Sequence, residues 1–121
     1  MLGGTMRQAG IIAAAGIYAL EHNVDRLAED HANAERLAKG LTNLGLKVEP
    51  VQTNMVFVHV PDDSVATVRR HLESNGVKVI PGPRMRLVTH LDVNAAAIDE
   101  ALEAFARFFK GTATQPASRV I

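Results

Sequence analysis

Apolar residues are nearly continuous over 9–20 and become periodic after that. The first run contains Ala9, Ile11, Ile12, Ala13, Ala14, Ala15, Gly16, Ile17, Ala19 and Leu20, and it leaves almost no polar face. Gly3-Gly4-Thr5 gives a permissive entry with a capping hydroxyl, so a helix is expected over about 6–21. A helix apolar all round must be covered on several sides. A small domain has little material for this, so the element asks for a partner chain or a further domain. After a break at Asn23-Val24, Leu27, Ala34, Leu37, Ala38, Leu41 and Leu44 recur at helical spacing. A second helix is expected over about 24–43, stopped by Gly45.

The period then shortens. Residues 46–51 read as a short strand that Pro50 confines to an edge, and 55–60 read as a stronger one. Pro61-Asp62-Asp63-Ser64 reads as a turn and cap for a third helix over about 64–75, burying Val65, Val68 and Leu72 and ending at Asn75-Gly76. A third strand is expected over 77–80, a rigid turn at Pro81-Gly82-Pro83, and a fourth strand over 85–90. Asn94 can cap a last helix whose stripe is Ile98, Leu102, Phe105 and Phe109. Residues 111–121 show no periodicity and are expected to form a flexible tail. The predicted fold class is α+β. Two helices form a linker segment over 1–45. A small domain over 46–110 carries a mostly antiparallel sheet with helices on one face.

Composition narrows the function classes. The chain has 121 residues, 47% hydrophobic and 21% charged, within the range of one globular domain. Thirteen basic and 13 acidic side chains give zero formal charge, which argues against a nucleic acid or an anionic membrane as partner. There is no cysteine, so disulfides, thiolate nucleophiles and cysteine metal sites are excluded; a reducing cytoplasm is the expected compartment. The apolar run is too short to span a bilayer, and it lacks the flanks of a secretory signal.

Two stretches carry candidate chemistry. Gly3-Gly4-Thr5-Met6-Arg7-Gln8 enters a helix, where free N–H groups and a guanidinium suit a phosphate; a plain lead with a solvated Arg7 is the other reading. In Arg84-Met85-Arg86-Leu87-Val88-Thr89-His90, strand alternation puts Met85, Leu87 and Thr89 on one face and Arg86, Val88 and His90 on the other. A mid-strand arginine among apolar residues suits a carboxylate, which it grips with two parallel bonds. An exposed face with Arg86 paired to a surface acid stays open beside that. His90 reads as structural. The histidines at 22, 31, 59, 71 and 90 form no helical metal pair, His31 reads as a capping or packing residue, and no convincing acid–base pair is found among the carboxylates.

Four stretches together resemble the threonine aldolases. Met1-Leu2-Gly3-Gly4-Thr5-Met6-Arg7-Gln8-Ala9-Gly10 is similar to that family's three glycines followed by Met-Arg-Gln. Glu29-Asp30-His31-Ala32-Asn33-Ala34 resembles its next helix, and Thr53-Asn54-Met55-Val56-Phe57 also fits. Arg86-Leu87-Val88-Thr89-His90-Leu91-Asp92-Val93 resembles its late strand and the following turn and is the most specific of the four.

The resemblance implies the C-terminal part of a low-specificity L-threonine aldolase, including the small domain of a fold-type-I pyridoxal-phosphate enzyme. The whole enzyme would cleave L-threonine or L-allo-threonine to glycine and acetaldehyde, as a homo-oligomer with sites at subunit interfaces. Arg86 would be a substrate-carboxylate ligand, and Arg7 would approach the cofactor phosphate. Thr5 stands where the family has its third glycine, and a β-branched residue narrows the backbone there. The family's Schiff-base lysine lies upstream of the glycine segment, and Lys39, Lys47, Lys78 and Lys110 match no such position. The isolated chain, lacking the large cofactor domain, is therefore expected to be inactive and to bind no cofactor covalently. A stand-alone interaction or regulatory module, or an amino-acid-binding module, derived from an aldolase is the alternative.

Overall fold

A computed structural model of the chain describes residues 9–120, with side chains through residue 110. The element order is α1 (Gly10–His22), α2 (Leu27–Asn43), β1 (Lys47–Val48), β2 (Met55–His59), a 3-10 turn (Asp62–Ser64), α3 (Val65–Ser74), β3 (Arg84–Val88) and α4 (Ala95–Val120). The fold is α+β, as the periodicity predicts. The strands form an antiparallel sheet in the order β1-β2-β3.

One sheet face is the core. Val56 and Val58 of β2 and Met85 of β3 are buried there, with Ala34, Leu37, Ala38 and Leu41 of α2, Val68 and Leu72 of α3, and Ile98, Ala104 and Phe105 of α4. α2 thus packs its stripe into the core of the small domain, although the sequence pattern set it with the linker. Gly40 lets α2 approach α4 closely, because a Cβ at that position would run into the Leu102 side chain. α1 contributes no buried residue at all.

The helix stops follow the sequence. Gly45 and Gly76 have φ of +87° and +80°, a conformation a Cβ disfavours. After α2, Leu46 N–H donates to the Leu41 carbonyl at 3.2 Å and Gly45 N–H to Thr42 at 2.9 Å. After α3, Val77 N–H donates to Leu72 at 2.8 Å and Gly76 N–H to Glu73 at 3.1 Å. Both closures are Schellman motifs. Asn94 Oδ1 accepts the Ala97 N–H at 2.9 Å and caps α4.

Two expectations are corrected. Residues 77–80 are not a strand. Val77 and Val79 turn partly inward while Lys78 and Ile80 are exposed, so the alternation is real. However, Val77 N–H is committed to the end of α3, and Pro81 and Pro83 supply no donors to a ladder with β3. Ser64 makes no capping bond, because the chain enters α3 through the 3-10 turn instead. Beyond residue 110 the α4 backbone stays helical to Val120, past the last residue of its apolar stripe.

Candidate functional site

The second sheet face, opposite the core, carries the candidate site. In the β2–β3 register Phe57 is opposite Arg86, Met55 is opposite Val88, and His59 is opposite Arg84. Their side chains share the face away from the core, by strand alternation. Arg86 is exposed there and makes no hydrogen bond or ion pair with another described residue. Met55 and Val88 are 41% and 40% exposed on the same face, and Arg86 lines a cavity of about 480 Å³ together with Lys78, Val79, His90, Val93 and Glu100. A guanidinium in that setting presents its N–H groups to an incoming carboxylate.

Arg84 is two residues away on the same face and is engaged. Its Nε and one terminal nitrogen donate to the Glu49 carboxylate at 2.6 and 2.7 Å. Its guanidinium carbon lies 3.8 Å from the centroid of the Phe57 ring, a cation–π contact. Glu49 also contacts His59 Nε2 at 2.9 Å, and its N–H donates to the Phe57 carbonyl at 2.9 Å. Hydrogen bonds from Arg84, and secondarily from His59, lower the Glu49 carboxyl from 4.5 to about 2. The same pair raises Arg84 above its ordinary value. A shallow cavity of about 360 Å³ is lined by Glu49, Gln52, Thr53, Met55, Phe57 and Arg84.

A buried network fixes the end of β3 and thereby the base of Arg86. Thr89 is fully buried; its N–H donates to the Asn54 carbonyl at 3.0 Å, and Asn54 Nδ2 donates to the Thr89 carbonyl at 2.8 Å. Thr89 Oγ1 donates to the Asp30 carbonyl at 2.7 Å. The Asp30 carboxylate, almost fully buried, receives two bonds from Arg26 at 2.8 and 3.2 Å. Asn33 Nδ2 reaches the Val93 carbonyl at 3.3 Å. Three of the four stretches that carry the family resemblance therefore meet at one place.

The remaining candidates are dispersed. Arg7 lies outside the described residues, as does Thr5. His90 accepts the Asp92 N–H through Nδ1 at 3.2 Å, a turn-stabilising role. His31 is exposed, His22 stacks on Tyr18, and His71 contacts the Ala104 carbonyl at 2.8 Å. Among the described residues no group of three His, Asp or Glu side chains is arranged to hold a metal. The Glu49–Arg84–Phe57 cluster is absent from the sequence expectations. The Arg-x-Arg spacing was its one local signal, because Glu49 belongs to a different part of the chain.

Pyridoxal phosphate does not fit what the described residues offer. Lys39, Lys47, Lys78 and Lys110 are all exposed. Lys78 lines the cavity that Arg86 also lines, and the other three line neither of the cavities described.

The family model for beta-eliminating lyases matches residues 1–63. Low specificity L-threonine aldolase of Escherichia coli K12 is 47% identical over 100 residues, covering 83% of this chain and 30% of that protein. Low-specificity L-threonine aldolase 1 of Arabidopsis thaliana is 38% identical over 112 residues, covering 86% of this chain and 31% of that protein. The chain thus spans about 30% of the length of these curated relatives. A crystal structure from Burkholderia pseudomallei, of a protein assigned as an aminotransferase, superposes with a TM-score of 0.63 at 22% identity. That match covers 81% of this chain and 30% of the other, and it shows the fold. On this evidence the chain belongs to the beta-eliminating lyase family, and over most of its length it is similar to the low-specificity L-threonine aldolases.

Proposed function

We propose that this chain works as the C-terminal part of a threonine aldolase and supplies the arginine that holds the substrate carboxylate. The observation that carries the reading is Arg86, exposed, without a partner among the described residues, on a strand whose end is locked by the Asn54–Thr89–Asp30 network. A guanidinium so placed binds the amino-acid carboxylate with two parallel bonds and fixes the orientation of the bond to be broken. The reaction is cleavage of L-threonine or L-allo-threonine to glycine and acetaldehyde. In the whole enzyme pyridoxal phosphate would supply the electron sink for that cleavage, held by a lysine that the family resemblance puts in the large domain. By the family resemblance, Arg7 would approach the cofactor phosphate.

The exposed apolar surface of α1 supports the same reading. Ile11, Ile12, Ile17, Tyr18 and Leu20 are between 56% and 86% exposed, a surface that the large domain or a second subunit would cover. A second subunit as that cover would make the assembled enzyme a homo-oligomer. Two measurements test the assignment. The longer protein containing this chain should release acetaldehyde from L-threonine when supplied with pyridoxal phosphate, and failure to do so overturns the reading. The 121-residue chain, mixed with the cofactor and reduced with borohydride, should retain none. A single specifically modified lysine in it would contradict the division of labour.

A further inference from the structure

The outer sheet face carries two arginines in register, and only one of them is open. Arg84 and Arg86 are about 7 Å apart along β3 and point the same way. Arg84 leans across β2, over the Phe57 ring, to reach Glu49. Phe57 is also the residue opposite Arg86 in the ladder. The Arg84 guanidinium therefore lies in the cross-strand row of Arg86, with Glu49 at the far end of that row, bonded through its N–H to the Phe57 carbonyl. All the bidentate capacity of Glu49 is directed at Arg84, and His59 holds the same carboxylate from a third direction.

We propose that Glu49 is a specificity-determining residue that, by occupying Arg84, leaves this face one free guanidinium and so gives it no preference for a ligand with a second carboxylate. The inference rests on the reading of Arg86 as a carboxylate ligand and deepens it. With Glu49 neutral, the Arg84 guanidinium would be open to a ligand on the same sheet face as Arg86. A second carboxylate on the ligand's side chain then finds no partner on the wild-type face and adds nothing to binding.

The test uses the 121-residue chain, with acetate and glutarate as probes at low ionic strength and neutral pH. The readout is the Nε–H resonances of the arginine side chains. In the wild type both probes should shift Arg86 with similar affinity and leave Arg84 unmoved. In Glu49→Gln, glutarate should shift both arginines, and its affinity relative to acetate should rise about tenfold, the scale of one added charge-assisted pair. The double variant Glu49→Gln/Arg84→Met should return that ratio to the wild-type value. An unchanged ratio in Glu49→Gln, or an Arg84 that already answers glutarate in the wild type, overturns the proposal. An Arg86 silent to both probes while Arg84 responds in Glu49→Gln sinks the carboxylate reading of Arg86 and leaves the masking by Glu49 standing.

Discussion

Asn54 and Thr89 hold each other by a reciprocal pair of hydrogen bonds: the Thr89 N–H to the Asn54 carbonyl at 3.0 Å, and the Asn54 amide to the Thr89 carbonyl at 2.8 Å. One residue precedes β2 and the other follows β3, so the pair closes the ladder just beyond Met55 and Val88. The Thr89 hydroxyl then ties this corner to α2 through the Asp30 carbonyl. The strand that carries Arg86 is therefore anchored to the helical layer at its end.

Thr89→Val keeps the shape of the side chain and removes that hydroxyl. The Asp30 carbonyl retains its bond within the helix, so the loss is that of one ordinary hydrogen bond. Urea unfolding should show a destabilisation of about 1 kcal/mol. A variant as stable as the wild type would mean the corner is not held through Thr89.

Asp30 is buried and Arg26 is only 22% exposed. Asp30→Ala removes the acceptor for two guanidinium bonds but lets Arg26 turn toward water. The expected cost is about 1–3 kcal/mol. Arg26→Ala should cost at least as much, because it leaves a buried carboxylate with no cation beside it. The order of the two variants in a thermal melt checks this.

The Glu49 carboxyl gives the fold an acid limit. It is lowered from 4.5 to about 2, chiefly by Arg84 and then by His59. The unfolded chain takes up that proton near the ordinary value, and the folded chain takes it up only near 2. The contribution of Glu49 to stability is thus complete above the ordinary value and fades as pH falls toward about 2. Wild-type stability should fall more steeply than that of Glu49→Gln across this window. Parallel curves would remove the ion pair from the account.

Ile12→Glu with Ile17→Glu tests the surface of α1. Neither residue is buried, so folding stability should change by no more than about 0.5 kcal/mol. Self-association of the 121-residue chain, read by sedimentation, should weaken sharply. A wild-type chain that stays monomeric at high concentration would contradict the need for a cover.

Much of this was legible in the sequence, and the exceptions share a cause. Gly45, Gly76 and Asn94 announced helix ends because cap chemistry is local. The alternation of Arg84 to His90 set the face of Arg86 correctly. The same alternation misled at residues 77–80, since it tells which side chains turn inward and not whether the backbone finds a ladder partner. α2 was grouped with α1 because both are helical; only packing shows that Leu37 and Leu41 belong to the core of the sheet. The Glu49–Arg84 pair was invisible because its partners sit in different strand regions, with Phe57 between them.

The most direct test of the central claim is the specificity constant for L-threonine in the longer protein carrying Arg86→Ala. A charge-assisted interaction contributes roughly 1.5–3 kcal/mol, so the constant should fall by about 10- to 150-fold while the protein remains folded. A folded variant with an unchanged constant would show that this guanidinium does not hold the substrate.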